Sequence, residues 1–427
     1  MKNRKNEAHE KKTGVVPKLR FPEFRGSAGW ERNELGQIGY FTGGGTPSKA
    51  NESFWRGNIP WVSSSDIEEE SVHSFGISRY ITEKALNDSA TKLVPANSIL
   101  LVSRVGVGKL AITKQTLCTS QDFTNYTPTE GCLEFFAYYL KMRSNLLLSF
   151  SQGMAIKGFT KDDISKLNIN LPNPAEQQRI ADCLSSLDSL ISAHTQKLDG
   201  LKTYKKGLMQ QLFPAKGEKV PKLRFPEFRG KGEWEERLLE DLAKRGSGHT
   251  PDKKKPSYYN GGIKWVSLAD SNKLDNGYLY ATKNEISIDG IKHSSAVLHP
   301  AGTVILSRDA GVGKSAVLFS DMAVSQHFIA WNCKSELSNW FLYYILQLLK
   351  PTFESIAIGS TIKTIGLPYF KSLRICVPHI TEQQHIASFL SSIDNLIAAQ
   401  AQKIESLKVH KKGLMQQLFP AMDEANA

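Results

Sequence analysis

The chain has 427 residues, room for two or more domains each with its own core. Its 40% apolar and 22% charged content is that of a globular protein, which argues against a disordered or fibrous chain. No run approaches the roughly 18 apolar residues of a membrane span. The polar start MKNRKNEAHEKKTG has no secretory core, so a cytoplasmic protein without membrane contact is expected. The net charge of +12 suits a polyanionic partner, although charge alone does not require one.

In chain order, residues 1–16 are charged and nearly devoid of bulky apolar groups, and a disordered tail is expected there. Structure begins at PKLRFPEFRG (17–26), followed by Trp30, and the same ten residues recur at 221–230, followed by Trp234. This internal repeat continues in register. IPWVSSSD (59–66) matches IKWVSLAD (263–270), and VPANSILLVSRVGVGK (94–109) matches HPAGTVILSRDAGVGK (299–314) with a one-residue slip. Ser120-Gln121 with Phe123 matches Ser325-Gln326 with Phe328. Buried helices are expected at 133–148 and 337–350. Short β-rich runs broken by Gly, Pro, Asn and Asp indicate two similar mixed α/β domains, 17–172 and 215–377.

Each domain leads into a long helix, 173–214 and 378–420, with a short tail at 421–427. The first carries a heptad seam through Ile180, Leu184, Leu187, Ile191, Leu198 and Leu201. The second repeats it at Ile386, Leu390, Ile393, Ile397, Ile404 and Leu407, with polar interruptions at equivalent places. His194 matches Gln400 and Lys205 matches Lys411, positions suited to fixing register. Two matching seams in one chain most simply pack on each other. Asn173, Pro174 and Glu176 form a capping-box pattern, and Pro214 and Pro420 close the helices. KKGLMQQLFPA is identical at 205–215 and 411–421, although packing constrains only the seam. One surface shown to two copies of one partner explains the identity, with Lys206, Gln210, Lys412 and Gln416 as docking candidates. Recent duplication is the alternative.

The chemistry-bearing motifs are few. GVGK (106–109) and GVGKS (311–315) fail as phosphate loops, because Ser103 and Arg308 stand where the first glycine belongs. A hairpin turn is expected, and its backbone amides, with basic neighbours, could meet a nucleic-acid phosphate. The loops TGGGTPSK (42–49) and GSGHTPDKKK (246–255) are small, glycine-rich and basic, and suit approach to DNA. Trp61 and Trp265 are expected in the core rather than as stacking platforms. Gln121 and Gln326 could read adenine bidentately or cap a turn. Cys118, Cys132, Cys183, Cys333 and Cys376 are scattered and unduplicated, as expected of reduced thiols rather than metal ligands. No histidine has ligand spacing, and no catalytic constellation is visible; no metal site and no cofactor are expected in this chain.

The repeated PKLRFPEFRG with Trp30, the GGTPS loop, IPWVSSSD, the VGVGK hairpin, the paired EQQRIA and EQQHIA helix starts and both KKGLMQQLFP segments resemble the DNA specificity subunit of type I restriction–modification systems. The resemblance implies two target-recognition domains, each reading half of a bipartite double-stranded DNA site. It also implies an antiparallel coiled coil that sets their spacing. Catalysis would then lie in two modification (methyltransferase) subunits and in restriction subunits, which use S-adenosylmethionine, ATP and Mg. The expected DNA contacts are Ser48, Lys49, Arg104, Lys109, Gln121 and Lys157 in the first domain. In the second they are Lys253, Lys254, Arg308, Lys314, Gln326 and Lys363, with lysines on phosphates and Arg or Gln on base edges. Independently, Ile180 to Leu212 spans 32 helical steps, about 48 Å at about 1.5 Å each. Half-sites one DNA turn apart lie about 34 Å from each other. A free-standing two-domain DNA-binding regulator is the alternative function, which co-purification with a methyltransferase would separate from the first. A P-loop enzyme and a coiled-coil scaffold are the remaining classes; ATP turnover and absent DNA binding would mark them.

Overall fold

Short β-branched runs that end in glycine, proline or asparagine cannot build one long sheet, and the chain folds them into several small ones. The computed structural model describes residues 14–150, 158–359 and 363–420. The expectations for residues 1–13 and 421–427, and for Lys157, lie outside the described residues. The chain divides into two units, Met1–Thr195 with Lys403–Ala427, and Gln196–Gln402. Each long helix therefore contributes its two ends to different units.

In the first unit, Gly39–Gly43, Thr124–Pro128, Ser98–Leu101 and Leu110–Thr113 form one antiparallel sheet. A second sheet orders Arg79–Ile81, Ile59–Val62, Leu117–Thr119 and Leu93–Val94, with one parallel pairing between Ile59–Val62 and Leu117–Thr119. Successive strand residues face opposite ways. Ile99, Leu101, Leu110 and Ile112 pack with Phe135, Phe136 and Tyr139 of the helix Leu133–Met142. Leu100, Val102 and Ala111 enter a separate core with Val62, Val94, Leu117 and Phe123. The hairpin between Ser98–Leu101 and Leu110–Thr113 turns through Gly106 and Gly108, both at positive φ (95° and 88°).

The second unit repeats this plan. Val304, Leu306, Val317, Ile329 and Trp331 pack with Phe341, Leu342 and Ile345. Ile305, Ala316, Leu318, Phe328 and Ala330 face Val266, Met322 and Val324. Its apolar helix runs Asn339–Ile356 and continues past Pro351, beyond the stretch expected from sequence.

The long helices span Pro174–Leu212 and Ile380–Leu418. Asn173 Oδ1 accepts the Glu176 N–H (2.9 Å), so the cap forms as expected. The reciprocal half of the capping box does not. Arg20 Nε and Nη2 donate to the Glu176 carboxylate at 2.7 and 2.6 Å, and both side chains are buried. Arg224 takes Glu382 in the same way (2.8 and 2.7 Å). A buried guanidinium outbids one exposed helix amide for the carboxylate.

Within each unit the two helices run antiparallel. In the first, Ile180, Ala181 and Leu184 share a core with Met415 and Leu418, and Asp188 pairs with Lys411. In the second, Leu208 and Leu212 share one with Ile386, Leu390 and Ile393, and Lys205 pairs with Asp394. Ile404 and Leu407 are buried, whereas Leu187, Ile191, Leu198, Leu201 and Ile397 are half-buried. Both lysines, interruptions of the apolar seam, lie over a tyrosine ring: Lys411 over Tyr138 (5.0 Å) and Lys205 over Tyr344 (5.1 Å). The Tyr138 hydroxyl donates to Asp188 (2.6 Å) and the Tyr344 hydroxyl to Asp394 (2.8 Å). Burial, reinforced by the neighbouring aspartate, raises the pKa of both phenols and keeps them protonated. Each seam thus carries a Lys–Asp–Tyr lock. Among the described residues no helix is long and apolar enough to cross a membrane.

Candidate nucleic-acid interface

A glycine-rich loop and a distant strand end meet in each unit. In the first, the Gly45 N–H donates to the Thr119 carbonyl (2.8 Å) and the Trp61 indole donates to the Gly45 carbonyl (3.0 Å). A Cβ on Gly44 would sit 1.9 Å from the Ser120 carbonyl oxygen, so only glycine permits this approach. In the second, His249 N–H donates to Val324 O (3.0 Å), and the Trp265 indole donates to His249 O (3.2 Å). A Cβ on Gly248 would sit 1.9 Å from Val324 O. The loops differ in wording, yet the constraints coincide.

Those constraints converge on one contact. The Thr46 hydroxyl donates to Gln121 Oε1, and the Thr250 hydroxyl donates to Gln326 Oε1 at 2.5 Å. Pro47 and Pro251, just after the threonines, are buried, as are Ser120 and Ser325, just before the glutamines. Both glutamines are exposed. Trp61 and Trp265 are buried, as expected, but they also latch the loops, a role that sequence did not reveal.

A cleft of about 640 Å³ opens beside the first clasp, lined among others by Arg104, Gln121, Phe159, Thr160 and Lys161. The second unit has a cleft of about 560 Å³ lined by Thr250, Lys253, Trp265, Gln326 and His327. Another, of about 490 Å³, gathers Lys314, Lys350, Lys363 and Glu354 around the turn Ala310–Val312. Burial raises the pKa of the Tyr259 phenol in the 560 Å³ cleft, and its hydroxyl donates to the Pro251 carbonyl (2.6 Å). The candidates therefore divide. Arg104 and Gln121 share one cleft, Lys253 and Gln326 a second, and Lys314 and Lys363 a third. Ser48 and Lys49 are exposed next to Thr46-Pro47, and Lys254 is exposed beside Lys253. Lys109 is half-buried on its hairpin and lines none of these clefts. Lys161, Lys350 and His327 were not singled out by sequence.

Arg104 and Arg308, both expected to contact DNA, do not occupy equivalent places in the backbone. Val102 N–H donates to Lys109 O (2.9 Å) as Ser307 N–H does to Lys314 O (2.8 Å). Ser103 N–H donates to Asp122 O (2.7 Å) as Arg308 N–H does to His327 O (2.9 Å). Arg308 thus stands in the place of Ser103, half-buried and outside the clefts. The place of Arg104 belongs to Asp309, whose carboxylate lies 2.8 Å from His327 Nδ1, and His327 replaces Asp122. The frames are alike, but an aspartate takes the place of Arg104 and a histidine that of Asp122.

The two identical segments of each unit also meet. Leu19 N–H donates to Gln417 O (2.9 Å) and Leu223 N–H to Gln211 O (2.9 Å). Lys206, Gln210, Lys412 and Gln416 are all exposed. Among the described residues no group of three or more His, Cys, Asp or Glu could hold a metal ion.

The family model for the type I restriction modification DNA specificity domain matches residues 27–203 and again 231–409. A type I restriction enzyme specificity subunit of Methanocaldococcus jannaschii is 26% identical over 402 residues, covering 91% of this chain and 92% of that protein. One from Escherichia coli is 36% identical over 176 residues, 39% of this chain and 43% of that protein. The crystal structure of the S subunit of a type I system from M. genitalium covers 96% of this chain and 100% of its own, with TM-score 0.57 and 14% identity. A chain from a structure addressing complex assembly of the type I system covers 92% and 98%, with TM-score 0.59 and 19% identity.

Proposed function

Since the chain belongs to the type I restriction–modification DNA specificity family and is a specificity subunit, we propose that each of its units reads one half of a bipartite DNA target. The observation that carries this reading is the duplicated clasp. Two units of divergent sequence hold an exposed glutamine by the same set of bonds, beside clefts that carry lysine or arginine. Cationic side chains there can meet phosphates, and the amides can meet base edges. The twelve DNA contacts expected from sequence remain the working set, with Arg308 the weakest member and Lys109 confined to phosphates.

The long helices act as the spacer between the half-sites. The identical exposed ends, with Lys206, Gln210, Lys412 and Gln416, dock two modification subunits, and restriction subunits join the full assembly in the cytoplasm. This chain is not itself an enzyme; S-adenosylmethionine, ATP and Mg are used by the partners. Support comes from the repeated Lys–Asp–Tyr lock, which allows one antiparallel register. The test is removal of one heptad from each long helix, followed by sequencing of the DNA that the assembled complex methylates. Both half-site sequences should persist with a changed spacer, or binding should be lost. Binding to the original spacer as before refutes the ruler.

A further inference from the structure

We infer that Thr46 and Thr250 are positioning residues that orient Gln121 and Gln326 to read one adenine in each half-site, an inference that rests on the reading of the units as DNA readers. An exposed glutamine amide can turn end over end, because its oxygen and nitrogen are nearly equal in shape. A hydroxyl that donates to Oε1 removes that freedom. It leaves both Nε2 hydrogens and one Oε1 lone pair for an outside partner. In the major groove adenine alone offers an acceptor, N7, beside a donor, N6, and a fixed amide matches that pair. The turned amide would present the reverse order.

Stability does not account for the clasp. Its hydrogen bond is exposed to water in both units, where exchange with solvent leaves little net gain. Yet it is framed twice over by a glycine that tolerates no Cβ, an indole latch and a backbone bond. The neighbouring side chains vary instead: Arg104 and Asp122 in one unit, Asp309 and His327 in the other. A common glutamine with unlike neighbours suits two half-sites that differ in sequence but share an adenine position.

The test uses the full-length chain in complex with its modification subunits and a duplex library randomised over both half-sites. Bound DNA is selected and sequenced. Thr46→Val, which keeps the shape and removes the hydroxyl, should lower discrimination at one A·T pair of one half-site by about tenfold. All other positions should stay unchanged, Thr46→Ser should restore the preference, and Gln121→Leu should lose the same position. Thr250→Val should do this in the opposite half. Gly44→Ala provides the pattern of a disrupted loop, in which every position of that half weakens. If Thr46→Val copies that pattern, or leaves every position as in the unmodified protein, the positioning role is wrong. If the unmodified complex selects no bipartite sequence, the DNA-reading assignment itself fails.

Discussion

Replacing Lys411 by methionine shortens the side chain by one atom, removes its charge and leaves Asp188 facing Tyr138 alone. The side chains of Lys411 and Asp188 are only 10% and 9% exposed, so water cannot take over the lost partner. Breaking a pair buried to this degree costs about 3–5 kcal/mol. Because the Tyr138 hydroxyl still donates to the carboxylate, the lower end, about 3 kcal/mol, is expected. Lys205 and Asp394 are 17% and 31% exposed, and solvent softens the same change there to about 1 kcal/mol. With two units a single denaturation midpoint mixes both effects. Hydrogen exchange of the second long helix, resolved by segment, separates them. Lys411→Met should speed exchange at 403–418, and Lys205→Met should speed it less at 380–402. Adding Asp188→Asn to Lys411→Met should recover part of the loss, which exposes the coupling. Equal effects of the two lysine changes, or strict additivity in the double variant, would refute the reasoning.

Two further outcomes follow from buried groups. Arg20→Met leaves Glu176, whose side chain is 1% exposed, with the Trp30 indole (3.3 Å) in place of its ion pair, and should cost about 3 kcal/mol. Limited proteolysis should then cut within 17–30, and a segment as resistant as before would contradict the assignment. Burial lowers the pKa of the His73 and His299 imidazoles below the ordinary 6.5, against an opposing pull from Asp188 on His73. The unfolded chain therefore binds protons that the folded chain refuses. Stability present above about pH 6.5 is lost as pH falls through the folded values. Thermal unfolding should show this loss, and His73→Asn with His299→Asn should flatten it; an unfolding temperature that rises on acidification would reverse the sign.

The helical seams were legible because their information is local: Ile180 and Leu184, or Ile386 and Leu390, declare a face by spacing alone. The hairpin glycines were legible for the same reason, as positions where φ must be positive. What escaped the sequence depends on partners far along the chain. Glu176 follows the local capping rule on paper, but Arg20, buried beside it, takes the carboxylate. The Thr46–Gln121 contact joins residues that no short pattern relates. Arg104 and Arg308 share the letters Ser-Arg but not a place, because the hairpins Val102–Lys109 and Ser307–Lys314 are equal in length and, in register, Arg308 falls where Ser103 stands. EQQ was visible as a repeated word at both helix starts. Its meaning needed the fold: Gln177 accepts from Cys132 N–H (3.0 Å) and Gln383 from Ser338 N–H (3.0 Å), each at the start of the buried helix.

The last turn of each long helix has a consequence for biosynthesis. Phe419 packs on Trp30, Phe135 and Tyr139, and Phe213 packs on Trp234 and Phe341. On the ribosome Phe213 is made before the rings it meets, and the second unit has all its residues once 402 has emerged. The first unit lacks Leu418 and Phe419 until after the second unit is complete, so its aromatic core stays open while its twin can close. Two modules of the same plan therefore mature in the reverse of their order in the gene. The module translated first is the one exposed longest to misfolding.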